Sequence, residues 1–104
     1  MTGTMLTLTI ATPEAVAAEA AGLVQVRAED PAGSFAIRPG HADFLTALVP
    51  AVVIWRDGAG VERFCAVRGG VLTVTGGRRV AIATREAVPG DDLDVLEHAV
   101  LTRF

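Results

Sequence analysis

Two tight-turn signals, each set between alternating apolar runs, constrain this chain more than any other feature. Val52 to Arg56 and Val61 to Val67 flank Asp57-Gly58-Ala59-Gly60, whose Asp-Gly pair readily supplies the positive φ that a hairpin turn needs. Val71 to Val74 and Arg79 to Thr84 flank Gly76-Gly77 in the same manner, and Gly69-Gly70 is expected to break the chain between the two hairpins. Upstream, Leu6, Leu8 and Ile10 alternate with Thr7 and Thr9, and Val24 and Val26 are opposed by Gln25 and Arg27. Such alternation puts apolar side chains on one face of an extended segment. The alanines of Ala15 to Ala21 would suit a helix, but the position between two strands favours a further strand. Short strands at this spacing, with no helical stretch between them, predict an all-β fold, a two-sheet antiparallel β-sandwich, over residues 1–88.

After Pro89-Gly90 the period changes. Asp91 or Asp92 can cap a helix, an acidic first turn suits the helix dipole, and Leu93, Leu96, Val100 and Leu101 fall at helical spacing. Residues 89–104 are therefore read as the start of a C-terminal helical segment. A helix this short is marginal alone in water, so its apolar stripe must pack on something.

Composition removes several function classes. Hydrophobic residues make up 51% of the 104, yet Pro50 interrupts the longest apolar run, Ala47 to Trp55, which falls far short of the roughly 20 residues that cross a bilayer. No basic region followed by an apolar stretch lies near Met1, so no leader is read there. A net charge of −3 supplies no basic footprint for nucleic acid. All nine basic residues are Arg, which excludes Schiff-base lysine chemistry, a P-loop lysine and a lysine-tethered carrier arm. The single Cys65 forms no internal disulfide and sits in an apolar stretch, as an inert buried thiol in a reducing compartment would.

Little else points to catalysis. His41 and His98 are the only histidines, and neither lies in a metal-ligand pattern. A metal site around His41 and Asp43 needs further convergent ligands that the sequence does not cluster nearby. Asp91, Asp92 and Asp94 read as a helix cap, and the glycine pairs lie between strands and not at a helix start, where a phosphate cradle would be. No catalytic residue, metal or cofactor is assigned. The segment from Gly33 to Leu48 stands out instead. It joins a turn glycine, a short strand and a Pro-Gly turn to Phe, His and Asp in an expected loop, a combination common on binding surfaces.

At this segment the chain resembles the ε subunit of F-type ATP synthases. The resemblance rests on Gly33-Ser34-Phe35 followed by Pro39-Gly40-His41-Ala42-Asp43-Phe44-Leu45-Thr46. It continues through Phe64-Cys65-Ala66-Val67-Arg68-Gly69-Gly70-Val71-Leu72-Thr73-Val74, Thr84-Arg85-Glu86-Ala87 and Gly90-Asp91-Asp92-Leu93. Arg38 to Trp55 looks more like the alternative N-type branch than the housekeeping one.

The resemblance implies an N-terminal β-sandwich and a non-catalytic place in the central stalk, bound to the γ subunit and the membrane c-ring. The complex would sit at the cytoplasmic face of the cell inner membrane, with no direct insertion of this chain. It implies that Gly33, Ser34 and Phe35 face the c-ring and that His41, Asp43, Phe44 and Thr46 face γ. The two-helix hairpin usual in the family is missing or truncated in residues 89–104, so inhibition and ATP sensing through it are not carried over. Two rival readings are a stand-alone protein-interaction adaptor and a small metal-dependent β-barrel enzyme built around His41.

Overall fold

The computed structural model describes residues 5–104. Among these residues seven strands are followed by one helix: β1 (Leu6–Ala11), β2 (Val16–Asp30), β3 (Gly33–Ile37), β4 (Phe44–Asp57), β5 (Glu62–Thr75), β6 (Arg79–Ala83), β7 (Ala87–Gly90) and α1 (Leu93–Arg103). The ladder runs β1-β6-β5-β4-β2-β3, with β7 added to β5, and a β1–β2 pairing closes it into a barrel-like sheet. This form is compatible with the expected sandwich. Both predicted hairpins are present, as β4–β5 and β5–β6.

The structure corrects the sequence reading at four points. First, β1 and β6 pair parallel, Thr7 with Arg79 through to Ala11 with Ala83, so the sheet is not wholly antiparallel. Consecutive strands make the hairpins, whereas β1 and β6 are neighbours in the ladder but far apart in the chain, so no tight turn joins them and nothing forces them to run antiparallel. Second, the two stretches expected upstream are one 15-residue strand, β2. It passes through Gly22 at φ +68 without ending. Ala17, Ala18 and Ala20 pack against the core there, and that tertiary contact overrides alanine's helix propensity.

Third, Gly69-Gly70 does not break the chain. β5 runs through it, pairing Phe64 to Val67 with β7 and Val71 to Thr75 with β6. The two glycines, at φ +97 and +119, give the turn of backbone that lets one strand serve two neighbours. Fourth, the expected loop from Phe44 to Leu48 is the beginning of β4. Phe44, Thr46 and Leu48 turn inward while Leu45 and Ala47 turn out, the period of a strand.

The main core is built from alternate residues of every long strand, among them Leu6, Leu8, Ile10, Leu23, Val26, Val53, Val67, Leu72 and Ile82. On the other face of β4 and β5, Val52 and Ala66 are buried with Leu96 of α1, and Ile54, Phe64, Val88 and Val100 close around them. The central parts of these strands are thus covered on both sides. That accounts for the unbroken apolar run Val52-Val53-Ile54-Trp55, as expected where a sheet is buried twice. Pro50 is tolerated inside β4 because β2 pairs with that strand only from Ile54 to Asp57, leaving one edge free at Pro50.

Asp92 caps α1, its Oδ1 accepting from the amides of Asp94 at 3.0 Å and Val95 at 3.3 Å. Glu86 ties the helix end to the sheet, with Arg68 at 2.8 Å and Arg103 at 3.4 Å from its two carboxylate oxygens. Leu101 does not join the seam. It is 84% exposed, and Phe104 packs beside Val100 in its place. Among the described residues, no helix is long and apolar enough to cross a membrane.

Candidate docking surface

The β2–β3 turn and the segment leading into β4 meet at one end of the barrel. Gly33 and Ser34 are exposed just after the turn, whose Ala32 amide donates to Asp30 Oδ1 at 2.9 Å. Phe35 is half-buried and meets Phe44 edge-on, with ring centroids 5.7 Å apart and planes at 76°. Such an edge-to-face pair places a positive ring edge on a negative ring face. His41 extends the cluster, its ring centroid 5.6 Å from that of Phe44. Residues 33–35 and 41–44, which sequence reasoning divided between two partners, thus form one aromatic seam.

The remaining predicted residues hold this seam in place. Asp43 Oδ1 accepts from the Gly76 amide at 3.0 Å, and the Gly40 amide donates to the Gly77 carbonyl at 2.7 Å. These bonds seat the Pro-Gly-His segment on the β5–β6 turn. Gly77 is fixed by this approach, since a Cβ there would stand 3.0 Å from Gly40 Cα. The Thr46 hydroxyl donates to Asp30 Oδ2 at 2.8 Å, joining β4 to the β2–β3 turn.

His41 Nδ1 lies 2.7 Å from the Ala42 carbonyl, which can only accept, so Nδ1 carries the proton and Nε2 is the free ring nitrogen. Among the described residues no three His, Cys, Asp or Glu side chains converge as metal ligands. The Asp43 carboxylate that the metal reading required is engaged by Gly76.

Cys65 belongs to the core, with no exposed surface. Burial raises its thiol from the ordinary 9.0 to about 11, opposed in part by a backbone hydrogen bond at Val88. A thiol held neutral and out of reach is a poor nucleophile. A thiol-reactive dye at pH 8 is therefore expected to label the folded chain at least about a hundredfold more slowly than the denaturant-unfolded chain, because that much less of the buried thiol is ionised; comparable rates would mean that Cys65 is accessible. Below pH 9 the thiol is neutral whether folded or not. As pH rises from 9 to about 11 the unfolded chain ionises first, so stability falls across that window.

A second surface was not singled out by sequence reasoning. On the outer face, Ala47 lies beside Val71, Val71 beside Ala83, Ala83 beside Ala11, and Ala11 beside Val16. This row crosses five strands without a charge. Val16 and Val71 are 55% and 43% exposed, and Leu45, one step along β4, is 69% exposed. The solvent face of such a sheet is ordinarily polar, so an exposed apolar row of this length marks an interaction surface. The clue was present in Leu45 and Ala47 but became legible only once Phe44 to Leu48 was known to be a strand.

The family model for the ATP synthase delta/epsilon chain β-sandwich domain matches residues 5–90. ATP synthase epsilon chain 2 of Cereibacter sphaeroides is 52% identical over 92 residues, which cover 88% of this chain and 63% of that one. The protein of the same description from Paraburkholderia xenovorans is 50% identical over 97 residues, covering 93% of this chain and 70% of that one. The chain thus spans less than two thirds of the first of these relatives. Among solved structures, a chain of the Euglena gracilis mitochondrial ATP synthase (OSCP/F1/c-ring) superposes with a TM-score of 0.76 at 20% identity, over 86% of this chain and 56% of that one. A chain from the central stalk and c-ring of the Tetrahymena thermophila mitochondrial enzyme gives 0.67 at 19%, over 84% and 68%. These two likenesses bear on the fold. Matched to the family's β-sandwich domain over residues 5–90, this chain belongs to the delta/epsilon family of ATP synthase subunits.

Proposed function

We propose that the chain serves as a non-catalytic central-stalk subunit of a rotary ATP synthase. It docks on the γ subunit and the membrane c-ring, couples ion translocation to ATP synthesis or hydrolysis, and is held peripherally at the cytoplasmic face of the cell inner membrane. The observation that carries this reading is the uncharged outer row from Ala47 to Val16, which begins on the same strand, β4, as Phe44 of the aromatic seam. A subunit that transmits torque must hold its partner over a broad surface, and specific interfaces bury on the order of 1,200–2,000 Å². The row supplies an apolar surface for γ. The exposed Gly33 and Ser34, with Phe35 behind them, supply a projecting turn for the c-ring.

Within this reading His41, Asp43, Phe44 and Thr46 line the edge of the γ contact. Asp43 and Thr46 act by fixing the backbone, and His41 presents Nε2. Immobilised γ is expected to retain the wild-type chain and to bind His41→Ala about tenfold more weakly, a loss of roughly 1.4 kcal/mol. Failure of the wild-type chain to bind γ would remove the stalk reading. Equal retention of the variant would remove His41 from the interface.

A further inference from the structure

Two strands of the sheet end its ladders, and they are treated differently. β7 pairs with β5 alone. It carries Pro89, and α1 lies against it, close enough that a Cβ on Gly90 would stand 3.2 Å from Leu96 Cδ2. A proline and a covering helix are two of the devices by which proteins blunt an open edge. β3 pairs with β2 alone, from Val26–Ile37 to Asp30–Gly33, without a bulge or shift of register. It has no proline, no charged residue and no helix packed on it, and Gly33, Ser34 and Ala36 are exposed. Its outer edge therefore offers a regular set of main-chain donors and acceptors about 17 Å long.

We propose that the free edge of β3 receives an extended segment of the γ subunit as an added strand. This rests on the docking reading above and deepens it, since it makes part of that contact a main-chain ladder. The chemistry of an open edge suits one kind of occupant, an extended peptide whose amides and carbonyls complete the ladder, with side-chain contacts setting specificity. Side chains of the added strand alternate. Those on the side of Phe35 and Ile37 meet the seam of Phe35, Phe44 and His41 and must be apolar. Those on the side of Ser34 and Ala36 face solvent beside Arg27 and Glu29 of β2 and can be polar. The seam joins this edge directly to the His41 and Phe44 stretch assigned to γ, which favours γ as the donor of the strand and leaves the tip of the β2–β3 turn to the c-ring.

The test is amide hydrogen exchange across Ser34 to Ile37, for the free chain, for the chain bound to purified γ, and for the chain with purified c-ring. Alternate amides of β3 already face β2 and are slow in every state. The expected result is at least a tenfold slowing in the γ complex of those that exchange fast in the free chain. If γ retains the chain while these amides exchange as they do when free, the added strand is wrong and docking by side chains stands. If γ does not retain the chain, the docking reading falls and takes the added strand with it. Slowing only with the c-ring, or slowing in the free chain that grows with its own concentration, would assign the edge to the c-ring or to a second copy and overturn the assignment to γ.

Discussion

Gly70→Ala is expected to destabilise the domain by roughly 3–5 kcal/mol, a large share of the roughly 5–15 kcal/mol that keeps such a domain folded. Two separate costs combine at this position. Gly70 sits at φ +119, a backbone conformation that L side chains rarely adopt, and a Cβ there would overlap the carbonyl oxygen of Ala83. That oxygen belongs to the neighbouring strand, so relief requires β5 and β6 to part where Val71 pairs with Ala83. Gly76→Ala is the control. At φ +64 with nothing within 4 Å of the added carbon, it has the conformational cost alone, about 1–2 kcal/mol. Urea unfolding of the two variants measures the difference. In a domain of this size each kcal/mol lowers the melting temperature by about 4–8 °C. Equal losses in the two variants would mean that β5 and β6 do not approach so closely at Gly70.

Leu45→Asp is expected to act on binding and leave the fold largely alone. Leu45 is 69% exposed, so the free chain has little core contact there to lose, and the strand penalty for Asp is on the order of 1 kcal/mol or less. If γ covers the outer row, the substitution removes an apolar contact and buries an unpaired carboxylate in its place. Retention by γ should then weaken by about a hundredfold or more, which corresponds to roughly 2.7 kcal/mol. Val71→Asp, 43% exposed on the adjacent strand, should behave alike, and the double variant should fall short of the sum because the two share one covered patch. Undiminished retention of Leu45→Asp, with its melting temperature unchanged, would place the outer row outside the interface. These variants test the docking reading better than alanine at Phe35 or Phe44, because both rings pack against the core and their loss would also disturb folding.

The strand pattern was legible wherever local chemistry stood alone. Gly76-Gly77 announced one hairpin and Asp57 to Gly60 the other, although its positive φ falls on Gly60 and not on Gly58, and Asp92 with the spacing of Leu93, Leu96 and Val100 announced the helix. It failed where a neighbour decided the outcome. Gly69-Gly70 looked like a break because two positive-φ residues ordinarily end a strand; pairing to β7 on one side of them and β6 on the other keeps β5 continuous. Phe44 to Leu48 looked like a loop because the Pro-Gly-His turn precedes it, although its own alternation was that of a strand.

The same division holds for the candidate site. The segment from Gly33 to Leu48 was identified from the sequence as a docking segment, and a chain with no lysine and a single cysteine excluded a lysine-based or disulfide-based role. Tertiary structure decided how they are used. Asp43 and Thr46 became backbone and turn fasteners, and Phe35, Phe44 and His41 became one seam. The outer row from Ala47 to Val16 draws on residues up to 72 positions apart (Ala11 to Ala83), and no local pattern reports such a juxtaposition. Periodicity and turn chemistry are properties of neighbours in the chain, so the sequence alone determined the strands, their turns and the helix cap. Which faces are covered, which edge stays open and which apolar residues remain exposed depend on strand register and barrel closure. Those are fixed only when distant segments pair.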